Sequence, residues 1–313
     1  MAAIHRIVEL NRRRRHPHSR LLRSNANIRT NLNQLDILSD REIIRRYRLP
    51  RNEILTLLEL LTPDLRRSTE RNYALTPAVQ LLCSLLYYTT GSFLQTIGDG
   101  LGLSKASVSR CVQAVTTVLV RHAPEYIRFP RTQADVHDTH RGFHSIANIP
   151  QVIGAIDGTL IPIITQRIDE PMYISRKGYS AINVQVICNH EGVITDIVAK
   201  WPGDTHDAFI WSNSAISQAA KNGQFGDSWL LGDSGYPLRL YLLTPILHPR
   251  NAAEERFSNT HRLTRCIIER TFGVWKMRFR CFDKSSGGLH FTPAKCCAVI
   301  VITAMLHNIA VRA

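Results

Sequence analysis

The stretch QVIGAIDGTLIPI (residues 151–163) is one apolar run with a single carboxylate, Asp157, at its centre. Its length and β-branched content, bounded by Pro150, read as a buried strand. A carboxylate in such a place must be solvated, paired or bound to a cation. Working outward, NVQVICNHEGVITDIVAKW (183–201) supplies two further strands with a hairpin turn at His190-Glu191-Gly192. HDAFIWSNSAISQAAKNG (206–223) has helical character, SWLLGDSGYP (228–237) and RLYLLTPIL (239–247) hold two short strands, and THRLTRCIIERTFGVWKMRFRC (260–281) is a long helix. The order is β-β-β-α-β-β-α. A parallel fourth strand requires the long helical crossover that precedes it.

That order predicts an α/β domain of the ribonuclease-H-like type over residues 146–313, a mixed five-stranded sheet flanked by helices. Upstream, residues 39–145 read as an all-helical module, with IIRRYRLPRNEILTLLELL (43–61) apolar at three- and four-residue spacing and Thr76-Pro77 as an N-cap. Within it, SFLQTIGDGLGLSKASVSRCVQAVTTVLV (92–120) has the outline of a helix-turn-helix, with Ser104 capping the second helix. Lys105, Ser107, Ser109 and Arg110 would then face a DNA groove while Leu101, Leu103, Val108 and Val112 pack inward. A plain helical hairpin needs the same spacing. Pro124, Pro130 and Pro150 mark a linker region that leads through a short helix into the second domain.

The 313 residues carry 39 Lys and Arg against 25 Asp and Glu, a formal charge of +14, which points to a polyanionic partner. The excess is uneven: residues 1–72 hold 16 basic against 8 acidic residues, and residues 256–284 hold 8 against 2. Residues 1–38 read as a basic, flexible arm whose Arg12-Arg13-Arg14-Arg15 run is a nuclear localisation signal, a backbone-gripping segment or a solvated tail. The apolar run Cys296–Leu306 falls short of the roughly 18 residues a bilayer crossing needs, so no membrane association is expected. No secretory signal opens the chain, and the seven scattered cysteines form no C-x-x-C pair, so neither a disulfide framework nor a thiolate zinc site is expected. A zinc set drawn from Cys281, His290, Cys296, Cys297 and His307 fits no tetrahedral spacing.

Acids at strand ends stand out against this basic background. Asp157 lies in the first strand, Asp233 ends the fourth, and Glu269 lies in the long helix on one stripe with Arg262, Arg265, Lys276 and Arg280. Ile267, Ile268, Val274, Trp275, Met277 and Phe279 take the other faces, expected to be buried. Two strand-borne aspartates and a helix-borne glutamate converge if the first and fourth strands are neighbours. Such hard oxygen ligands suit two Mg²⁺ or Mn²⁺ ions, which together stabilise the attacking and leaving oxygens of a phosphoryl displacement. Asp207 opens the crossover helix and is a cap or a further metal ligand, with His206 beside it.

These residues resemble the PIF/Harbinger superfamily of DDE transposases and its host-gene nuclease derivatives. The resemblance rests on GAIDGT around Asp157, RKGYSAINVQ (176–185), PGDTHDAFIW around Asp207, LLGDSGYP around Asp233 and IERTFGVWKMRF around Glu269. The 35 residues between Asp233 and Glu269 resemble the family interval, and Arg265-x₃-Glu269-x₆-Lys276 is similar to a transposase helix signature in which Arg262 replaces the usual tyrosine. The resemblance implies catalytic metal-binding acids at Asp157, Asp233 and Glu269, with Asp207 as a further candidate. It also implies cleavage at transposon ends and joining of the 3′ hydroxyl to target DNA, with a Myb-like companion protein. Synapsis of two ends implies a homodimer or higher oligomer, and the expected location is the nucleus, with the cytoplasm left open. Arg176, Lys177, Arg265, Lys276 and Arg280 are the expected phosphate contacts on double-stranded DNA. Two other readings stay open: a domesticated nuclease that cuts without transposing, and a DNA-binding adaptor with an idle acidic site.

Overall fold

The computed structural model describes residues 34–66, 74–164 and 170–313. Most of the basic arm, including Arg12 to Arg15, lies outside them. The chain opens with helices α1 (Gln34–Ile37), α2 (Asp40–Tyr47) and α3 (Arg51–Leu65), followed by α4 (Pro77–Thr90), α5 (Leu94–Leu101) and α6 (Lys105–Tyr126). Local sequence sets their ends. Ser39 and Glu42 form a capping box on α2, Thr76 accepts from the Val79 amide with Pro77 at the first helical position, and Ser104 accepts from the Ser107 amide. Gly102 ends α5 in the left-handed region, and Leu101, Leu103, Val108 and Val112 are buried between α5, α6 and their neighbours. α7 (Gln133–Ala147) follows and packs on the first strand and on the long helix.

The second half holds β1 (Val152–Pro162), α8 (Glu170–Tyr173), β2 (Ala181–Cys188), β3 (Ile194–Pro202), α9 (Asp207–Ser212), α10 (Ala215–Lys221), β4 (Trp229–Leu231), β5 (Leu242–Leu243), α11 (Ala252–Arg278) and α12 (Pro293–Arg312). The sheet order is β3-β2-β1-β4-β5, with β1, β2 and β3 antiparallel and β4 and β5 parallel to β1. This mixed five-stranded sheet with flanking helices is consistent with a ribonuclease-H-like domain. The hairpin turn sits where the sequence places it: Asn189 Oδ1 accepts from the Glu191 and Val193 amides, and Gly192 takes φ +81°.

Each sheet face has its own core. On one, Val184, Val186 and Cys188 meet Ile268, Trp275 and Val299, and this apolar cluster runs on into the helical half through Val115, Leu81 and Leu57. On the other, Ile153, Ile156, Ile187 and Leu230 pack on Trp211, Ile216, Phe225 and Tyr236. Asn308 bolts three elements together, donating to the carbonyls of Ile194 and Tyr126 and accepting from the Ile194 amide. α12 is longer than the apolar run in the sequence suggests and is apolar enough to cross a membrane, yet its Val299, Ile300, Ile302 and Leu306 are fully buried in the core.

The long helix differs from expectation in two respects. It ends at Arg278, so Arg280 lies beyond the stripe in the 3₁₀ turn Arg280–Phe282, because Phe279 leaves the helical region at φ −114°, ψ 82°. Met277, expected inside, is 70 % exposed, while Arg278 is half-buried and donates to His307 Nδ1 and to the His307 carbonyl. The apolar face of α11 is therefore narrower than a hydrophobicity count implies. Thr264, Thr271 and His261 complete it as buried polar residues.

Candidate active site

Strand register brings the two strand-borne aspartates level. Leu231 pairs with Ala155 across the parallel β1–β4 ladder, so Asp157 and Asp233, each two residues further on, emerge side by side at the end of the pair. Asp157 Oδ1 accepts from the Gly158 amide at 2.8 Å, and its Oδ2 accepts from Arg265 Nη1 at 3.0 Å. Arg265 Nη2 donates to Glu269 Oε1 one turn along α11. One guanidinium therefore joins the β1 acid to the helix acid. Arg265 and Asp157 are nearly buried, with side chains 15 % and 18 % exposed, whereas Glu269 is 53 % exposed and faces solvent.

Asp233 is held by its own turn, its Oδ1 accepting from the Gly235 amide at 2.9 Å. Asp207 opens α9 and accepts from Asn183 Nδ2 at 2.9 Å, and the same amide group donates to the Thr205 carbonyl. A Cβ added to Gly158 would lie 2.3 Å from Asp207 Oδ1, so this glycine is the space the carboxylate occupies. His206, the N-cap of α9, makes no side-chain capping bond.

Electrostatics ties these acids into one neighbourhood. Burial pushes Asp157 up to about 6; Arg265 and the Gly158 amide oppose the rise, and the charges of Asp233 and Asp207 add to it. The phenol of Tyr236, in the same GDSGY segment, is raised well above its ordinary value by burial and by Asp207, Asp157 and Asp233. Arg265 loses hydration on burial, but Asp157 and Glu269 outweigh this and hold it firmly protonated.

Among the described residues, no three His, Cys, Asp or Glu side chains stand close enough together to hold a metal ion. Arg265 takes the place between Asp157 and Glu269 where a cation's charge would lie. The donor chemistry nevertheless fits a divalent ion. It is a set of hard carboxylate oxygens, one of them desolvated beyond what its arginine compensates. Buried polar atoms beside it also lack partners: the Tyr236 hydroxyl and both amide atoms of Gln185, whose Cα pairs with Gly158. The Cys281, His290, Cys296, Cys297 and His307 set gathers no such site, since His307 binds the Gly192 carbonyl and Arg278, and Cys296 contacts the Phe291 carbonyl.

The expected DNA contacts fall into three places. Lys105 and Arg110 are exposed at the start of α6, with Ser107 and Ser109 partly buried between them. Arg176 and Lys177 are exposed in the turn from Ser175 to Tyr179, closed by Gly178 at φ +73°. Lys276 donates to Thr159 Oγ1 and the Leu160 carbonyl on β1, and burial followed by the charge of Lys177 pushes it down to about 8. Arg280 lies 3.6 Å from Asp283. Arg265, expected on phosphate, is engaged by Asp157 and Glu269.

Sequence reading missed Asn183, Gly158, Tyr236 and the Asp157–Arg265 link. Asn183 and Gln185 left a trace as alternate polar residues in the apolar run NVQVIC. The spacing of Arg265 and Glu269 hinted at a pair, but nothing in the sequence signals a contact 108 residues away.

Residues 156–308, which enclose all four acids, match the family model described as a DDE superfamily endonuclease. The mouse protein named "Putative nuclease HARBI1" is 39 % identical over 276 residues, covering 88 % of this chain and 79 % of that one. The human protein of the same name is 37 % identical over 279 residues, 89 % of this chain and 80 % of its own. More distantly, the "Protein ALP1-like" of Arabidopsis thaliana is 22 % identical over 238 residues, 70 % of this chain and 57 % of that one. No solved structure matches. The chain belongs to the HARBI1 family of Harbinger transposase-derived nucleases within the DDE endonuclease superfamily.

Proposed function

We propose that the chain is a metal-dependent DNA endonuclease in which Asp157, Asp233 and Glu269, with Asp207, hold two Mg²⁺ or Mn²⁺ ions. The observation that carries this reading is Asp157, a desolvated carboxylate in mid-β1 that stands near Asp207 and Asp233 just past the end of the β1–β4 pairing. Divalent ions are typical of the superfamily. When bound, they would acidify water and neutralise charge on the phosphoryl group. The net reaction joins a water oxygen to phosphorus and breaks the bond from phosphorus to the 3′ oxygen, which leaves as a hydroxyl with one of the water protons. The chain's own residues supply order: Asn183 aims Asp207, the Gly235 amide fixes Asp233, and Arg265 joins Asp157 to Glu269 and turns the two toward each other.

The cations around this point would hold the DNA backbone, and the exposed start of α6, with Lys105, Ser107, Ser109 and Arg110, would enter a groove as a helix-turn-helix. Cleavage at transposon ends and joining of the 3′ hydroxyl to target DNA, as a nuclear homodimer or higher oligomer with a Myb-like companion, complete the transposase form of this reading. The nuclease names of the mouse and human relatives favour the form that cuts without joining. The test is cleavage of double-stranded DNA in Mg²⁺ or Mn²⁺. Asp233→Asn should lower cutting by at least ~10²-fold, the scale of losing one main charge stabiliser, while DNA binding persists. Undiminished cutting removes Asp233 from the mechanism, and absence of cutting by the unmodified chain supports the adaptor reading.

A further inference from the structure

We propose that a groove of about 600 Å³ beside the acids is a seat for a backbone phosphate, built jointly by the helical half and the α/β half. Its wall carries Arg48, Lys276, Arg280 and Lys284, with Tyr179 beside them and Asp283 as the one carboxylate. Four cations around one acid make a site for an anion, because their mutual repulsion is relieved only by negative charge. They come from separate elements. Arg48 follows α2, Lys276 projects from α11, and Arg280 and Lys284 lie on the two 3₁₀ turns after it.

Three observations make this more than a charged surface. Lys276 is partly buried and fixed, with two of its three N–H groups donating to Thr159 and Leu160 and the third without a partner among the described residues. Lys284 is held over the Tyr179 ring, its Nζ 4.2 Å from the centroid, which positions the ammonium at the rim. Arg48 adopts φ +59°, a conformation that glycine and asparagine take more readily, so an arginine stands there against the local preference of the backbone. It also lies near Arg278, whose proton affinity is lowered first by burial and then by the charge of Arg48.

The groove lies at a definable distance from the acids. The Lys276 ammonium donates to Thr159 on β1, two residues beyond Asp157, a span of about 7 Å by strand rise. The occupant is therefore a phosphodiester of the strand whose scissile bond sits at Asp157, close to that bond. This placement rests on the nuclease reading; the anion seat itself does not.

The test uses the full chain and an arbitrary 30-base-pair duplex in EDTA, with binding followed by fluorescence anisotropy across a salt series. The double variant Arg48→Asn with Lys284→Glu should bind at least ~10-fold more weakly at low salt. Its slope of log affinity against log salt should be shallower by about 2, one contact per removed cation. Asparagine suits the left-handed backbone at position 48 and Lys284 is exposed, so the variant should keep its melting temperature. Arg141→Glu, on an exposed arginine of α7, serves as the charge control and should change neither quantity. An unchanged slope in the double variant overturns the groove, whether or not the unmodified chain cuts DNA. A shallower slope with no cutting by the unmodified chain supports the anion seat and overturns the nuclease reading and the placement close to the scissile bond. If the chain cuts, uncharged methylphosphonates scanned over the first few positions on either side of the nick should weaken binding at one of them by the unmodified chain and not by the double variant; equal weakening of both at every position overturns the placement.

Discussion

Asp157→Asn should abolish metal-dependent cutting and at the same time make the metal-free protein more stable. The folded carboxyl sits at about 6 against an ordinary 3.8, a rise of about 2 pH units. At ~1.36 kcal/mol per unit, carrying the charge costs the fold roughly 3 kcal/mol. Because the folded value is the raised one, the folded chain holds the proton more tightly than the unfolded chain. Stability therefore falls as pH rises from about 4 to 6 and stays lowered above it. Asparagine carries no charge to desolvate, and Arg265 retains Glu269 as its partner. In EDTA the variant should gain roughly 3 kcal/mol at pH 8, a rise in Tm of about 6 °C, and close to nothing at pH 4. Adding Mg²⁺ should raise the Tm of the unmodified chain more than that of the variant, narrowing the gap. Calorimetric melting at the two pH values decides the matter. A variant no more stable at pH 8, or equally favoured at both, would refute the reasoning that this carboxylate lacks charge compensation.

Gly158→Ala should displace the Asp207 carboxylate from Asn183, because the added Cβ lies 2.3 Å from Asp207 Oδ1. The expected cost is about 1–3 kcal/mol with weakened Mn²⁺ binding by titration calorimetry; unchanged Mn²⁺ affinity would free Asp207 from the site. His307 is buried and pushed down to about 4 by burial, with the Gly192 carbonyl opposing the shift and Arg278 adding to it. Its neutral form is the one the fold accepts, so stability should be lost by about 3 kcal/mol as pH falls from about 6.5 to 4. Compared in the Asp157→Asn background, which removes the opposite titration, His307→Gln should flatten that acid limb in urea denaturation; an unaltered limb would place the acid sensitivity elsewhere.

Where the sequence was informative, it was because one physical constraint dominated. β2 and β3 are predominantly apolar, β-branched runs joined by a turn that Asn189 and Gly192 make comfortable, so both strands and their pairing could be read. The Thr76 and Ser104 caps were legible for the same reason, since a helix start leaves amides that a hydroxyl satisfies locally. The α11 helix shows the limit. Its buried face carries His261, Thr264 and Thr271, which hydrophobicity assigns to water, while Met277 stands outside. Those assignments depend on partners, such as the Leu243 carbonyl for His261, that the linear pattern does not contain. The site divides in the same way. Asp157 and Asp233 were visible as carboxylates in apolar strands, but the guanidinium that binds Asp157, the amide that aims Asp207 and the glycine that makes room for it are set by tertiary contacts.

If folding gathers these carboxylates about one point, a divalent cation can take the place Arg265 now holds. The most direct measurement is anomalous diffraction from crystals of the full chain soaked in Mn²⁺. A bound ion should give a peak within coordination distance of both Asp157 and Asp233, with the Arg265 guanidinium moved off Asp157. A soaked crystal with no peak there, and Arg265 still joined to Asp157 and Glu269, would contradict it.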